Sequence, residues 1–293
     1  MKKILLTGGK GFFASRFAGY YRDRYQIWAP GHREMDVTDA SQVADSVKGF
    51  APDIIIHTGA IAVTQYCNEH PDVAHKINVE GSVNVARAAA DAGSRMVFLS
   101  SEQVFNGSTA GGPFREEDAP VPDTVYGENK AEAERLLRSI TDRLWIVRFT
   151  WMFDLPAAGC GMAGNILMDT ISKLVRRETI SASKREFRGM GYMQETVRNF
   201  ETLFDCPYGT WHMGAENPCS RYEIVAHILK LLGLGQSAGD PMEQYLKEDE
   251  IHYLDHNRDV RLDVSKAAAT GMHWTPTRDA LEKCLKEYSV IRS

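Results

Sequence analysis

The chain has 293 residues, of which 43% are hydrophobic and 25% are charged, an ordinary composition for one large globular domain or two interlocked ones. Its formal net charge of −5 gives no electrostatic basis for nucleic acid as the main partner. No apolar run reaches membrane-spanning length, and the five scattered cysteines include no CxxC pair. We therefore expect a cytoplasmic protein with reduced thiols and no membrane partner.

The first half of the chain alternates short apolar runs with helical stretches. The predicted strands are 4–7, 26–29, 53–57, 95–100 and 144–149, and the predicted helices are 11–22, 73–92 and 124–140. The run 53–57 is apolar almost throughout, as expected of a strand whose two faces are both covered by helices. This alternation predicts an α/β fold with a Rossmann-type, doubly wound parallel sheet.

The pattern changes after Trp151. Residues 156–164 are rich in glycine and alanine and are predicted to form a loop, and three further helices are predicted at 166–177, 222–232 and 277–288. Ser220 is the expected N-cap of the second of these, with Glu223 completing a capping box. We predict an NAD(P)-binding domain over 1–153 and a smaller, less regular C-terminal substrate-binding region over 154–293, from which segments return to the first domain.

A glycine-rich turn joins the first predicted strand to the first helix. Its spacing is Gly8-x-x-Gly11-x-x-Ala14, with alanine in the place of the third glycine of the dinucleotide-binding motif. Glycine lets the backbone turn tightly and lets a phosphate approach the N–H groups at a helix N-terminus. In this strand–turn–helix context the turn predicts a dinucleotide cofactor. The predicted contacts in the turn are Thr7, Gly8, Gly11, Phe12 and Phe13.

The end of the second strand bears on which cofactor is used. An acidic residue there would hold the 2′-hydroxyl of NAD, but the chain has Gly31-His32-Arg33 instead. Arg33 or His32 would meet a 2′-phosphate, so NADP is favoured and NAD remains an alternative. Asp36 and Val37 are placed to reach the adenine ring, and Asp39 is the expected N-cap of the next helix.

Tyr126 and Lys130 are four residues apart on a predicted helix, so both side chains lie on one face. An ammonium one turn away favours the phenolate, which lowers the pKa of the tyrosine toward neutral pH. Such a tyrosine can give or take a proton at a carbonyl or an alcohol. The spacing is common by itself. The glycine turn and the Ser100-Ser101 pair about 25 residues upstream together make it a candidate catalytic site.

Several motifs together resemble the extended short-chain dehydrogenase/reductases, and two of them resemble the dTDP-4-dehydrorhamnose reductases in particular. The general motifs are TGGxGF, the runs 36–39, 78–81 and 100–105, and YxxxK; the particular ones are the runs 114–120 and 148–153. The resemblance is specific over residues 3–153. It implies that Ser101 polarises the substrate carbonyl, that Tyr126 is the general acid, and that Lys130 holds the nicotinamide ribose and lowers the tyrosine pKa. The implied reaction is hydride transfer to the 4-keto carbon of a 4-keto-6-deoxy sugar nucleotide.

The chain departs from this family on the substrate side. Glu102-Gln103 stands where the family often has an Asp-Tyr pair that contacts the sugar, and His57-Thr58-Gly59 stands where it has Asn-Ala-Ala. The family's Gln-x-Gly-x-Pro-Thr element is lost in the run 187–192, and its C-terminal arginine aligns with His256, beside Arg258. The resemblance implies that the substrate is contacted by Glu102, Gln103, Trp151, Asn165 and Arg258.

Two other functions stay open at this point. An NAD-dependent sugar-nucleotide epimerase or dehydratase would favour an acidic residue near Arg33, which is absent. A non-catalytic, NADP-binding regulatory subunit resembling the methionine adenosyltransferase beta subunit would share the motifs, although retention of Ser101, Tyr126 and Lys130 favours an enzyme. We predict a small-molecule partner, a nucleotide sugar, and no metal site. The alanine- and valine-rich stretch 73–92 would suit either a homodimer surface or burial within the monomer.

Overall fold

The computed structural model of the protein describes residues 1–235 and 242–292. Its strands, numbered in chain order, are β1 (Lys3–Thr7), β2 (Gln26–Trp28), β3 (Ile54–His57), β4 (Arg95–Ser101), β5 (Leu144–Phe149), β6 (Trp151–Phe153), β7 (Ile180–Ala182), β8 (Glu186–Phe187), β9 (Met190–Tyr192), β10 (Gly209–Met213), β11 (Leu246–Glu248) and β12 (Arg258–Asp259). Six of them form a central sheet in the order β2-β1-β3-β4-β5-β10 with every neighbouring pair parallel. The predicted fold class is confirmed.

The helices are α1 (Phe12–Tyr21), α2 (Ala40–Phe50), α3 (Thr64–Glu69), α4 (Pro71–His75), α5 (Gly81–Asp91), α6 (Val125–Arg138), α7 (Ile166–Arg176), α8 (Met193–Phe200), α9 (Arg221–Leu231), α10 (Met242–Tyr245), α11 (Ser265–Ala268) and α12 (Thr277–Glu287). The long helix predicted at 73–92 is divided by a π-helical turn at Lys76–Glu80. Asp39 caps α2, and Ser220 with Glu223 forms the predicted capping box of α9. Among the described helices, none combines the length and apolarity needed to cross a membrane.

Both faces of the central sheet are covered, which explains the apolar runs of its strands. On one face, Phe13 and Phe17 of α1 pack against Phe200 of α8, with ring centroids 4.8 and 5.6 Å apart. On the other face, Val43 of α2 and Val85 of α5 pack against the strands. The sheet is therefore a buried layer between two layers of helix.

A second hydrophobic core lies in the C-terminal half. It includes Phe153, Ile166, Ile224 and Leu281, from β6, α7, α9 and α12. Strand β10 nevertheless pairs with β5, and α8 packs on α1, so segments after residue 153 return to the first sheet. A domain boundary at residue 153 stays a prediction.

The chain changes direction in the sheet between β1 and β3. From β1 it continues to β2 on one side, and from β3 it continues to β4 and β5 on the other. Parallel sheets of this kind bind ligands at the carboxyl ends of the strands beside such a switch point. Thr7 and His57 are paired across the two strands at this place, and β4 ends nearby at Ser101.

Candidate active site

Helix α6 is joined to the end of β4 by two side chains one turn apart. Lys130 Nζ donates to the carbonyl oxygen of Leu99 at 2.8 Å, and Ser100 Oγ donates to Glu134 Oε1 at 2.6 Å. Consecutive residues of the strand are thus held by consecutive turns of the helix. These contacts fix the position of Ser101, the next residue, relative to the helix that carries Tyr126.

The first turn of α6 lies very close to the 3₁₀ helix Glu102–Phe105 that follows Ser101. A Cβ atom at Gly127 would be 2.5 Å from the carbonyl oxygen of Gln103, so only glycine permits this approach. Thr124 caps the helix, because its Oγ1 accepts from the N–H of Gly127 at 3.1 Å. The cap and the glycine together bring Tyr126 beside Ser101.

Tyr126 is 8% exposed, and its protonation follows from that burial. Burial raises the pKa of Tyr126, the carboxylate of Glu102 raises it further, and a hydrogen-bonding contact with Ser101 opposes the rise. The direction is opposite to the one expected from the sequence, because the ammonium of Lys130 is bound to Leu99 and lies 5.8 Å from the phenol ring centroid. The phenol therefore stays protonated at neutral pH, which is the state that a general acid needs.

Lys130 is also buried, and burial lowers its pKa to about 8, while the nearby Glu134 opposes the shift. Glu134 is itself held by Arg148 through two contacts of 2.9 and 2.7 Å, and both of these side chains are almost completely inaccessible. Arg148 thus holds the carboxylate of Glu134 in place one helical turn beyond Lys130, where that carboxylate favours the protonated form of the lysine.

His57 connects β1, β3 and the start of α5 beneath the predicted cofactor turn. Ser82 donates its only hydroxyl proton to Asn78, so His57 Nε2 is the donor in its 3.0 Å contact with Ser82. His57 Nδ1 is then the acceptor of the 2.7 Å bond from Thr7 Oγ1. Burial lowers the pKa of His57 to about 3, so the ring is neutral. It acts as a fixed link in the scaffold.

The glycine turn has the features that a dinucleotide pyrophosphate requires. Gly8 has φ +64°, and Gly11 is the N-cap of α1 without a side-chain cap, so no capping side chain takes the N–H groups of the first turn. The hydroxyl of Thr7 contacts His57 and two backbone N–H groups and so shapes the turn, and contact of Thr7 with a cofactor stays a prediction. The ring of Phe13 lies in the core, so only its backbone can face a phosphate.

The end of β2 carries exposed basic side chains. Arg33 is exposed. The aliphatic part of the Lys10 side chain lies along Gly31, since a Cβ atom added to Gly31 would be 3.2 Å from Cε of the lysine. Lys10 was not among the sequence predictions, although its place directly before Gly11 in the turn is the signal for it. Asp36 Oδ1 accepts from the N–H and hydroxyl of Thr38, each at 2.9 Å, and Val37 is buried.

A buried group of charges lies beyond Tyr126, and we call it the carboxylate–arginine cluster. Its members are Glu102, Glu186, Arg188, Arg221 and Arg258. Glu102 pairs with Arg188, whose guanidinium lies over the indole of Trp151 at 4.6 Å. Arg188 and Glu186 were missed by the sequence analysis, because each meets its partner only through the fold.

Two predicted substrate contacts have structural roles here. Arg258 binds Glu186 at 2.7 Å and Asn106 Oδ1 at 2.6 Å, both within the protein. Asn165 is the N-cap of α7: its Oδ1 accepts from the N–H of Met168 at 3.0 Å, and it is 1% exposed. Both side chains are held by protein partners, and their contact with a substrate stays a prediction.

The other predicted substrate residues lie nearer to the catalytic group. Gln103 Oε1 accepts from Thr64 Oγ1 at 3.1 Å, and the half-buried indole of Trp151 faces Arg188. Glu102 follows Ser101 directly, and burial raises its pKa while Arg188 opposes the rise. These three residues remain candidates for contact with a substrate.

Comparison with known proteins agrees with this arrangement. The RmlD substrate binding domain model matches residues 1–290. The dTDP-4-dehydrorhamnose reductase of Aggregatibacter actinomycetemcomitans is 30% identical over 78% of this chain and 78% of its own. The methionine adenosyltransferase 2 subunit beta of Bos taurus is 23% identical over 97% of this chain and 87% of its own.

The fold itself is matched by a solved structure of dTDP-4-dehydrorhamnose reductase from Bacillus anthracis, determined in complex with NADP. Its TM-score is 0.84 at 22% identity, covering 98% of this chain and 99% of that one. The family model confirms the resemblance that the motifs indicate over residues 3–153, and it extends the match to residue 290. The protein is dTDP-4-dehydrorhamnose reductase-like and belongs to the RmlD substrate binding domain family.

Proposed function

We propose that this protein is an NADPH-dependent reductase of a 4-keto-6-deoxy sugar nucleotide. The observation that carries the proposal is the buried, protonated Tyr126 beside Ser101, with Lys130 one turn away at the carboxyl edge of the sheet. The 30% identity to a protein named as a dTDP-4-dehydrorhamnose reductase supports the same substrate class. The match to a structure solved with NADP supports the cofactor.

The bound cofactor would supply a hydride to the carbonyl carbon of the substrate. Ser101 donates a hydrogen bond to the carbonyl oxygen and holds it beside the phenol. Tyr126 then gives its proton to that oxygen, which completes the alcohol and leaves a phenolate to be reprotonated from solvent. Lys130, held against Leu99, would stabilise the negative charge on the phenolate, and its other N–H groups would hold the nicotinamide ribose.

The first turn of α1, at Gly11, Phe12 and Phe13, would hold the pyrophosphate through its N–H groups, together with Gly8 of the turn. Asp36 and Val37 would lie against the adenine. Arg33 and Lys10 would bind the 2′-phosphate of NADPH, since both are exposed cations at the end of β2. This last assignment decides between NADPH and NADH.

Replacing Arg33 or Lys10 by alanine is expected to weaken NADPH binding by roughly ten-fold or more, because each replacement removes one charge-assisted hydrogen bond to the 2′-phosphate. NADH, which has no 2′-phosphate, should bind with less than about a two-fold change. Fluorescence titration of the two cofactors measures the difference. Arg22→Ala, an exposed arginine at the other end of α1, is the matched control. An equal loss of both cofactors would remove the assignment.

The reaction is tested by following nicotinamide absorbance with dTDP-4-dehydro-6-deoxy sugars. We expect oxidation of NADPH that depends on the sugar. A protein that binds NADPH but is inert with several keto sugars would instead favour the regulatory function of its methionine adenosyltransferase beta-like relatives. Copurification of tightly bound NAD would favour an epimerase or dehydratase. We further propose that the protein binds a nucleotide sugar, is located in the cytoplasm and forms a homodimer.

A further inference from the structure

The loop that joins β6 to α7, residues 154–165, lies against the glycine turn between β1 and α1. A Cβ atom at Gly161 would overlap the carbonyl oxygen of Lys10 and lie 2.9 Å from the carbonyl carbon of Gly11, so only glycine permits this approach. The N–H of Gly161 also donates to Ser15 Oγ at 2.9 Å. The predicted cofactor turn is therefore in backbone contact with a loop from the C-terminal half of the chain.

Arg16 of α1 holds this β6–α7 loop in place. Its Nε donates to Asp154 Oδ2 at 2.6 Å, and both side chains are almost completely inaccessible. Its Nη1 donates to the carbonyl oxygen of Gly161 at 2.7 Å, and its Nη2 donates to that of Leu155 at 3.1 Å. One guanidinium thus binds the loop at three points through charge-assisted hydrogen bonds, which give the loop a defined position.

The same guanidinium contacts the first turn of α1. Nη1 of Arg16 also donates to the carbonyl oxygen of Phe12 at 3.1 Å, and the group lies over the ring of Phe12, 4.4 Å from its centroid. Gly9 of the turn packs against the end of β2, where a Cβ atom would overlap the carbonyl oxygen of Ala29. The turn is thus held by β2 and by the β6–α7 loop, and Arg16 joins that loop to the N–H groups proposed for the pyrophosphate.

A phosphate site made of backbone N–H groups works best when those groups are in place before the ligand binds. Lys10 and Gly11 are exposed, and α1 begins at Gly11 without a side-chain cap. Ordering such a turn during binding would cost free energy, and that cost falls when the turn is ordered in advance. Packing of the β6–α7 loop on the turn supplies this order.

We propose that Arg16 is a positioning residue for the nicotinamide cofactor: with Asp154 it holds the β6–α7 loop against the glycine turn, which keeps the N–H groups of that turn in place for the pyrophosphate. This inference rests on the NADP-binding part of the proposed function and is independent of the sugar. The pyrophosphate is common to NADPH and NADH, so the loop affects both cofactors equally. Arg33 and Lys10, in contrast, are proposed to act on the 2′-phosphate alone.

The test separates the loop from the turn with one methyl group. Gly161→Ala places its Cβ against the carbonyl oxygen of Lys10, and it should weaken binding of NADPH and NADH by the same factor, roughly ten-fold, as for one weakened hydrogen bond to a charged group. Gly164→Ala is the matched control in the same loop, because a Cβ atom there meets nothing within 4 Å. It should leave both affinities within about two-fold of the wild type. Fluorescence titration measures all four affinities.

Arg16→Met removes the guanidinium and should weaken both cofactors by a similar factor. Because both variants act through the contact of the loop with the turn, combining Arg16→Met with Gly161→Ala should weaken binding by no more than about two-fold beyond the weaker-binding single variant. Arg16→Lys keeps a charge beside Asp154 and should recover part of the affinity. Urea unfolding without cofactor checks that each variant is folded, and if Arg16→Met does not fold, Gly161→Ala decides.

Three results would overturn this inference. A folded Gly161→Ala protein that binds both cofactors like the wild type would show that the loop contact is merely structural. Tighter binding by Gly161→Ala would show that the loop obstructs the cofactor site. A wild-type protein that binds neither NADPH nor NADH would refute the cofactor assignment and this inference with it. Failure to reduce any keto sugar, in contrast, counts against the reductase proposal alone, because cofactor binding is measured without a sugar.

Discussion

Replacing Tyr126 by phenylalanine is expected to lower the rate of NADPH oxidation with a keto sugar by a factor of about 10² to 10⁴, the usual contribution of a general acid. The phenol is buried and remains protonated, so its hydroxyl can act as the proton donor that we propose beside Ser101. Phenylalanine keeps the ring and removes only this hydroxyl. The measurement is kcat at saturating NADPH and sugar.

NADPH binding should persist in Tyr126→Phe, since the glycine turn and α1 are untouched. Tyr21→Phe is the matched control, because it deletes another buried phenol hydroxyl, one that donates to the carbonyl oxygen of Val197 far from the site. We expect this control to retain the wild-type rate. A Tyr126→Phe protein that keeps the wild-type rate would show that the proton comes from another group.

Replacing Glu134 by alanine is expected to reduce the free energy of unfolding by about 3–5 kcal/mol. The guanidinium of Arg148 would be left buried beside the carbonyl oxygen of Glu116 and the neutral ring of His212, each at 3.4 Å, without a counterion. Ser100 would also lose its acceptor, which would loosen the end of β4 just before Ser101. The loss is measured by urea unfolding, as a lower midpoint with an unchanged dependence of the free energy of unfolding on urea concentration.

Two controls separate this effect from ordinary surface electrostatics. Arg138 contacts the same carboxylate at 3.5 Å but is 47% exposed, so Arg138→Ala should cost no more than about 1 kcal/mol. The double variant Glu134→Leu with Arg148→Met removes both charges and should be more stable than Glu134→Ala alone. A Glu134→Ala protein as stable as Arg138→Ala would contradict a buried, mutually dependent pair.

Sequence patterns correctly predicted the features that depend on residues close together in the chain, such as helix caps and strands. The capping roles of Asp39 and Ser220 follow from side chains that bond their own helix a few residues on, and the five predicted strands of the sheet follow from short, mostly apolar runs. The long helix 73–92 was predicted in one piece, because its composition carries no mark of the π-helical turn at Lys76–Glu80.

Within the candidate site, the sequence identified the residues that can move a proton, but it did not show which groups surround them. Tyr126 and Lys130 are recognisable from their spacing, yet the direction of the tyrosine pKa was wrong, because burial and Glu102 outweigh an ammonium that is held by Leu99. Asn165 and Arg258 are polar residues in suggestive places, and only their partners reveal a helix cap and a structural ion pair.

The amino-acid sequence by itself determined the strand–helix alternation, the glycine turn and the residues able to move a proton. These depend on backbone freedom, apolar periodicity and side-chain type, which are properties of short segments. Only the tertiary structure decided that Arg188 meets Glu102, that Arg148 neutralises Glu134, and that β10 completes the first sheet. Those pairings join residues far apart in the chain, and the charges involved have definite effects only once burial removes them from water.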